Sequence, residues 1–493
     1  MAAATVPTET DQLLDAPGRD PTGPAAVSPL LRELCARAGD LGRYERWCRQ
    51  VRAAGYCQQP VRLAGTVEHA DTATGELRSV LDTRGEPDGV LLKACGTRKA
   101  AQCAPCAEVY RADAYQLIRA GLAGGKGVRE SIAEHPRLLV TFTAPSFGPV
   151  HSSRVRRGRV RVCRPARPQA RCPHGHPKRC GLRHLPGDPA LGMPLCGDCY
   201  DYERAVVWNA LAPELWRRTT VYLSRALARL AGLTAARAGE QVRVAYAKVA
   251  EYQARGAVHY HAVIRLDAGD PDSSPPGWAT AELLAAAIRK AAADVGVPCP
   301  LGGPPLRWGD QLDLHPISDH AGGDELSAGR VAGYVAKYAT KATEHLAAGL
   351  DRPIRTRRQL EELDAPEHVR RLAAACWLLG GQAELTGLRL RRRAYLLGFG
   401  GHTITKSRRY STSFAALRAA RRAWTARRLH DAAVPLDQDG RLLPPAGMVA
   451  VASWQYAGRG YRTGADAWLA WSMAQDAREA RRIAWEEVRT RAA

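Results

Sequence analysis

Apolar positions recur along this chain of 493 residues with two different periods. A spacing of three to four marks helices, because residues one turn apart share a face. It runs through Leu30, Leu31, Leu34, Ala38, Leu41, Trp47 and Val51, predicting one or two helices up to Ala54. It returns from about Ala107 to Gly121, from Asp201 to Leu230, from Thr280 to Asp294, through Arg427, and from Asp466 to Arg491. Alternation, or a short β-branched apolar run, marks strands. That pattern predicts short strands between residues 57 and 93, one from Leu138 ended by Pro145, two over Val242–Glu251 and Gly256–Leu266, and one between Trp308 and Ile317. Mixed in this way, the elements predict an α/β (α+β) fold, an antiparallel sheet with flanking helices. Residues 1–28, rich in Pro, Thr, Ala and Asp, show neither period and predict a disordered N-terminus.

The alternation matters most between Gly256 and Leu266. Val258, Tyr260, Ala262 and Ile264 share one strand face, and His259, His261 and Val263 share the other. Two neutral imidazoles side by side are ready metal ligands. The strand before them turns back through Gln253-Ala-Arg-Gly256, which brings Glu251 near the pair as a candidate carboxylate ligand. Alone, a His-x-His pair is an ordinary strand feature; the rest of the chain gives it weight. Asp313 and His315, also two apart, read as a solvated strand edge.

Thirteen cysteines, several in Cys-x-x-Cys pairs, occur without a basic segment leading an apolar run at the N-terminus. That combination predicts a cytoplasmic protein that uses cysteine for metal rather than for disulfides. Cys95, Cys103 and Cys106 form three corners of a tetrahedral site, with Cys57 the nearest candidate for the fourth. Cys172, Cys180, Cys196 and Cys199 form a second set, in which His174, His176 or His184 could replace one of the first pair. Zinc held by four protein ligands has no open position and serves to fold a knuckle. The expected organisation is a zinc-binding region over 29–130, a core over 131–346 interrupted by a zinc knuckle at about 150–200, and a basic, mainly helical region over 347–493.

Charge narrows the partner. Lys and Arg number 71 against 49 Asp and Glu, a formal charge of +22, and only nine of the basic residues are Lys. A chain this basic predicts a polyanionic partner, nucleic acid first. Arg154–Arg171 is too basic to bury, and Arg391, Arg392, Arg393, Lys406, Arg408 and Arg409 are candidates for phosphate contacts that orient DNA without reading bases. With four Phe, base stacking would rest on the 11 Trp and 16 Tyr. No apolar window is long enough to span a membrane, so no membrane partner is expected.

Between Gly329 and Lys341, helical spacing stacks Tyr334 on Tyr338 and Lys337 on Lys341. A phenol with a pKa of about 10 is a weak nucleophile. A metal ion on the phosphoryl oxygen and neighbouring ammonium groups would let it attack a phosphodiester. The product would be a tyrosyl phosphate on the 5′ side of a nick and a free 3′-hydroxyl.

His-x-His on a strand followed by Tyr-x-x-x-Tyr-x-x-Lys on a helix resembles the HUH endonuclease superfamily. Tyr334-Val-Ala-Lys-Tyr338 is similar to the two-tyrosine motif of the gene A initiators of isometric single-stranded DNA phages. Gly55-Tyr-Cys-Gln-Gln-Pro60, Pro194-Leu-Cys-Gly-Asp-Cys-Tyr-Asp201 and the stretch from Leu397 to Tyr410 resemble replication initiators of actinobacterial plasmids and integrative elements, the RepSA type. This resemblance covers roughly residues 45–460. It implies a rolling-circle initiator with an HUH-type sheet that nicks and rejoins origin DNA with Mg²⁺ or Mn²⁺. His259 and His261 would be metal ligands, Glu251 a third, and Tyr338 and Tyr334 the attacking residues assisted by Lys337 and Lys341. Single-tyrosine relatives carry Glu four positions before the Tyr; here that place holds Tyr334, leaving open whether termination uses water or the second phenol. No phosphate-binding loop of a helicase motor is present, so strand opening and synthesis would fall to a host helicase and DNA polymerase. The same chemistry would serve a conjugative relaxase or a two-tyrosine transposase. A zinc-containing DNA-binding regulator without catalysis is the remaining alternative.

Overall fold

In a computed structural model, the residues described are 28–492 apart from 157, 166–168, 319–326, 341–345 and 430–435. The disordered N-terminus expected over 1–28 therefore falls, except for Ser28, outside them. The chain forms two compact units. One runs to Tyr110 and resumes at Arg418, and the other is Arg111–Leu417.

The first unit holds α1 (Pro29–Ala38), α2 (Leu41–Ala53), β1 (Val61–Asp71), β2 (Leu77–Asp82), β3 (Leu91–Lys93) and the start of α3 (Ala104–Ala123). Near the C-terminus it takes up β11 (Met448–Arg459) and α11 (Gly464–Ala492). β11 pairs antiparallel with β1 from Val61↔Arg459 to Asp71↔Met448, and β2 and β3 also pair with β1. Gly65 permits this pairing, because a Cβ there would meet the Ser453 carbonyl oxygen at 1.8 Å. Trp47 and Val51 of α2 pack on Ala470 of α11, and Arg37 bridges Asp88 and Asp466. Among the described residues the segment after 347 is mainly helical, and its strand β11 joins the N-terminal strands.

The second unit is built on an antiparallel sheet of β4 (Arg137–Phe142), β7 (Val242–Tyr252), β8 (Val258–Ala268), β9 (Leu312–Pro316) and β10 (Ile404–Lys406), ordered β10-β7-β8-β4-β9. A small hairpin of β5 (Arg154–Arg156) and β6 (Arg159–Arg161) stands in the insertion after β4. The helices are α4 (Tyr202–Leu230), α5 (Ala235–Gln241), α6 (Ala281–Asp294), α7 (Ala328–Tyr338), α8 (Arg357–Glu361), α9 (Glu367–Leu379) and the first turn of α10 (Phe414–Leu429). Alternation along the strands divides the core in two. Val140, Phe142, Tyr260 and Ile264 pack against α4, α6 and α9. Leu139, Ala247, Val249 and Val263 pack against the second half of α3, α7 and the start of α10. This mixture of helices and antiparallel sheet is the α/β (α+β) class the two periods predict. Asp313 and His315 are exposed on β9, the sheet's edge, where solvation was expected. Among the described residues no helix is long and apolar enough to cross a membrane.

Candidate active site

The β7–β8 hairpin turns on Gln253–Gly256, with the Gly256 N–H donating to the Gln253 carbonyl at 2.8 Å. Gly256 has a φ of 75°, a conformation that favours glycine, and a Cβ there would press on the Leu372 side chain at 2.5 Å. Asn209 of α4, fully buried, clamps the turn. Its amide donates to the Gly256 and Leu397 carbonyls and its oxygen accepts from the Val258 N–H, each at 2.9 Å. The register that follows sets Glu251 opposite His259 and Val249 opposite His261. Glu251 Oε2 then lies 2.9 Å from His259 Nε2 and 3.1 Å from His261 Nε2.

These three groups could hold a divalent metal ion. Cis ligands on an octahedral ion with bonds of about 2.1 Å stand about 3.0 Å apart, which matches both contacts. Thr141 on β4 holds His261 Nδ1 at 3.1 Å, which aims Nε2 at Glu251. Burial lowers the His261 pKa against the opposing pull of Glu251 and keeps the ring neutral. Burial pushes the Glu251 carboxyl up, but hydrogen bonds from His259 and His261 outweigh it and leave the value at about 2. A neutral imidazole beside an ionised carboxylate is the state that coordinates a cation.

α7 brings the tyrosines. Ser327 caps its N-terminus by accepting from the Arg330 N–H, and Val331, Ala332, Val335 and Ala336 seat it on the sheet. Tyr334 and Tyr338 thereby face the imidazoles. The Tyr338 ring stacks on His261 at 4.8 Å, and Tyr334 meets the same imidazole edge-on at 5.2 Å. The two phenol rings are 5.0 Å apart and hydrogen-bonded to each other. Burial first, then that hydrogen bond and the Glu251 charge, raise the Tyr338 pKa. Lys337 is exposed on the same helix, whereas Lys341 lies outside the described residues.

Residues 43–475 match the family model described as RepSA, replication initiator protein, pSAM2. The chain belongs to the RepSA replication initiator family. A curated replication initiator protein from Streptomyces ambofaciens is 43% identical over 475 residues, covering 94% of this chain and 96% of that protein. No solved structure matches the chain.

Among the described residues the RepSA-family chain also carries three Cys-containing groups that could bind zinc. A tetrahedral ion with bonds of about 2.3 Å to sulfur and about 2.0 Å to nitrogen keeps its ligand atoms roughly 3.3–3.8 Å apart. Cys57, Cys95, Cys103 and Cys106 gather as expected, with Cys95–Cys106 at 3.6 Å and Cys57–Cys103 at 3.8 Å. Contact with Cys106 and Cys57 drives the Cys103 thiol down, while contact with Cys103 and Cys57 drives Cys106 up. In the second set His174, one of the histidines named as a possible replacement, stands in for Cys180 beside Cys172, Cys196 and Cys199, with its Nδ1 3.3 Å from Cys199 and 3.7 Å from Cys196. Cys180 is held elsewhere because its backbone exchanges two 3.0 Å hydrogen bonds with Arg164, beside Cys163. There it stands with His151, Cys163 and His184. Sequence reading missed His151 and Cys163, which sit in no Cys-x-x-Cys pair.

The basic candidates divide. Arg391 lies over the Trp377 ring and donates to its carbonyl at 3.0 Å, and Arg393 donates to the Leu388 carbonyl. Lys406 donates to the Ser407 and Arg408 carbonyls, and Arg409 to the Gly269 carbonyl at 2.8 Å. These four make hydrogen bonds to backbone carbonyls, and Arg391, Arg392, Arg408 and Arg409 are all exposed.

Proposed function

We propose that this initiator nicks and rejoins origin DNA to start and end rolling-circle replication, with Tyr338 as the first nucleophile and Tyr334 as the second. The observation that carries this reading is the approach of two phenols to the Glu251, His259 and His261 cluster. Family membership supports initiation over the relaxase and transposase readings. A His-x-His strand facing a Tyr-x-x-x-Tyr helix supports placement in the HUH superfamily.

Glu251, His259 and His261 would hold Mg²⁺ or Mn²⁺, which supplies Lewis-acid polarisation of the scissile phosphate. The raised pKa of Tyr338 keeps its phenol protonated at neutral pH. Its oxygen then attacks phosphorus, forming the O–P bond as the phenolic proton is lost. The P–O3′ bond breaks, and the leaving oxygen takes a proton to become a 3′-hydroxyl. One phosphodiester replaces another, so the energy for resealing is retained. Tyr334 repeats the attack at the regenerated origin, and the 3′-hydroxyl freed by that second cleavage displaces Tyr338 to reseal the displaced strand. Lys337 and Lys341 would offset phosphate charge. Zinc in the Cys57 and Cys172 groups would be structural, because all four positions are filled by protein. Arg392 and Arg408 would contact phosphates. The exposed 3′-hydroxyl would prime a host polymerase behind a host helicase.

A single-stranded origin oligonucleotide with Mn²⁺ tests this. Cleavage should leave a 3′ end that a polymerase extends and a 5′ end blocked by protein. Two free ends would indicate hydrolysis by water and overturn the reading.

A further inference from the structure

We propose that the insertion between β4 and α4 binds two zinc-class ions with interleaved ligands, the second held by His151, Cys163, Cys180 and His184. In chain order the pairs are His151 and Cys163, Cys172 and His174, Cys180 and His184, Cys196 and Cys199. The first and third pairs form one group and the second and fourth the other. Each ion therefore ties together segments that flank the other.

Geometry supports the second ion. His151 Nδ1 is 3.1 Å from His184 Nε2, Cys180 Sγ is 3.4 Å from His184 Nε2, and Cys163 Sγ is 3.9 Å from His151 Nδ1. These separations lie close to the edges of a tetrahedron around zinc, roughly 3.3–3.8 Å. The His184 Nδ1 atom is 2.6 Å from Asp188 Oδ2, which fixes the tautomer and turns the Nε2 lone pair into the group. A carboxylate behind a ligating imidazole is the usual support of a metal-bound histidine. The Ser152 N–H points at Cys163 Sγ from 3.2 Å, as a donor to a thiolate would. Two thiolates with two imidazoles select zinc over magnesium or calcium.

The insertion also lacks another means of folding. Among its described residues from 151 to 199, the buried ones are Cys163, Cys180, His184, Gly192 and Cys196. Four of these are ligand types, while Val155, Leu182 and Leu185 are exposed. A segment without an apolar core is ordered by metal or not at all. His151 and Cys163 also flank the hairpin that carries Arg154, Arg156, Arg159 and Arg161, so the second ion closes the base of a basic finger.

The test uses the full chain with His259→Ala and His261→Ala, which removes the nuclease ligands. Native mass spectrometry after purification in zinc should find three zinc ions per chain, and two would overturn the proposal. Cobalt reconstitution gives a second readout, since the three groups supply four, three and two thiolates. The Cys163→Ser, Cys180→Ser variant should lose about two-ninths of the thiolate-to-cobalt absorbance. Unchanged absorbance would show that this group is only a hydrogen-bonded cluster. Because the zinc count needs no change within the insertion, it decides even if that variant misfolds.

Discussion

The Tyr338 ring lies against the His261 imidazole, with centroids 4.8 Å apart and planes inclined by 19°. This contact joins the helix that carries the phenols to the strand that carries the imidazoles. Tyr338 is partly buried there, whereas Tyr334 is 42% exposed. The two tyrosines therefore have different access to an incoming strand.

The asymmetry predicts separable roles. Tyr338→Phe should lower the first cleavage of an origin oligonucleotide by roughly 10³-fold or more, as removal of a nucleophile does. Tyr334→Phe should keep that cleavage and lose transfer to a second origin strand. Gel assays of cleavage and strand transfer on the same substrate separate the two. Equal loss in both variants would count against the assigned order.

Metal binding at Glu251, His259 and His261 should weaken in acid, because protons compete for the imidazoles. Burial puts the His261 pKa below its ordinary 6.5, so the neutral ligand persists above that value and is lost as pH falls through the lower one. The midpoint for Mn²⁺ binding by calorimetry should lie on the acid side of 6.5. Glu251→Gln should weaken binding at every pH, because it removes the anionic ligand.

Asn209→Ala should destabilise the protein by about 3 kcal/mol, since it leaves the Gly256 and Leu397 carbonyls and the Val258 N–H without their buried partner. Thermal or denaturant unfolding measures this. The same variant should lose Mn²⁺ affinity, because the clamped turn sets the register of Glu251 against His259.

The grouping of Glu251, His259, His261, Tyr334 and Tyr338 was readable because its signals are local. Strand alternation put His259 and His261 on one face, a four-residue turn brought Glu251 back to them, and helical spacing stacked Tyr334 on Tyr338. What sequence reading missed depends on distant pairings. β11 joins β1 from the other end of the chain, and no local period announces that partner. Cys180 left Cys172 because backbone bonds tie it to Arg164, a contact that cysteine spacing does not encode. Asn209 looked like one polar residue in a helix, and its role appears only once the hairpin packs on α4.

Buried charge supplies a further test of the core. Arg265, 1% exposed, donates to Asp267 at 2.6 and 2.8 Å, and His135 meets the same carboxylate at 2.9 Å. Burial raises the Asp267 pKa, but His135 and Arg265 hold it below the ordinary 3.8. Its contribution is therefore full above 3.8 and is lost as pH falls through the lower folded value. Asp267→Asn should cost about 3–5 kcal/mol at neutral pH, because it strands a buried guanidinium. The difference from the parent should shrink in acid unfolding curves.

The most direct test of the central claim is peptide mapping of the covalent product formed on single-stranded origin DNA with Mn²⁺. A nucleotide-modified peptide bearing the phosphate on Tyr338 is expected, with Tyr334 modified only after a second cleavage. An adduct on any other residue, or one that still forms in the Tyr334→Phe, Tyr338→Phe double variant, would contradict it.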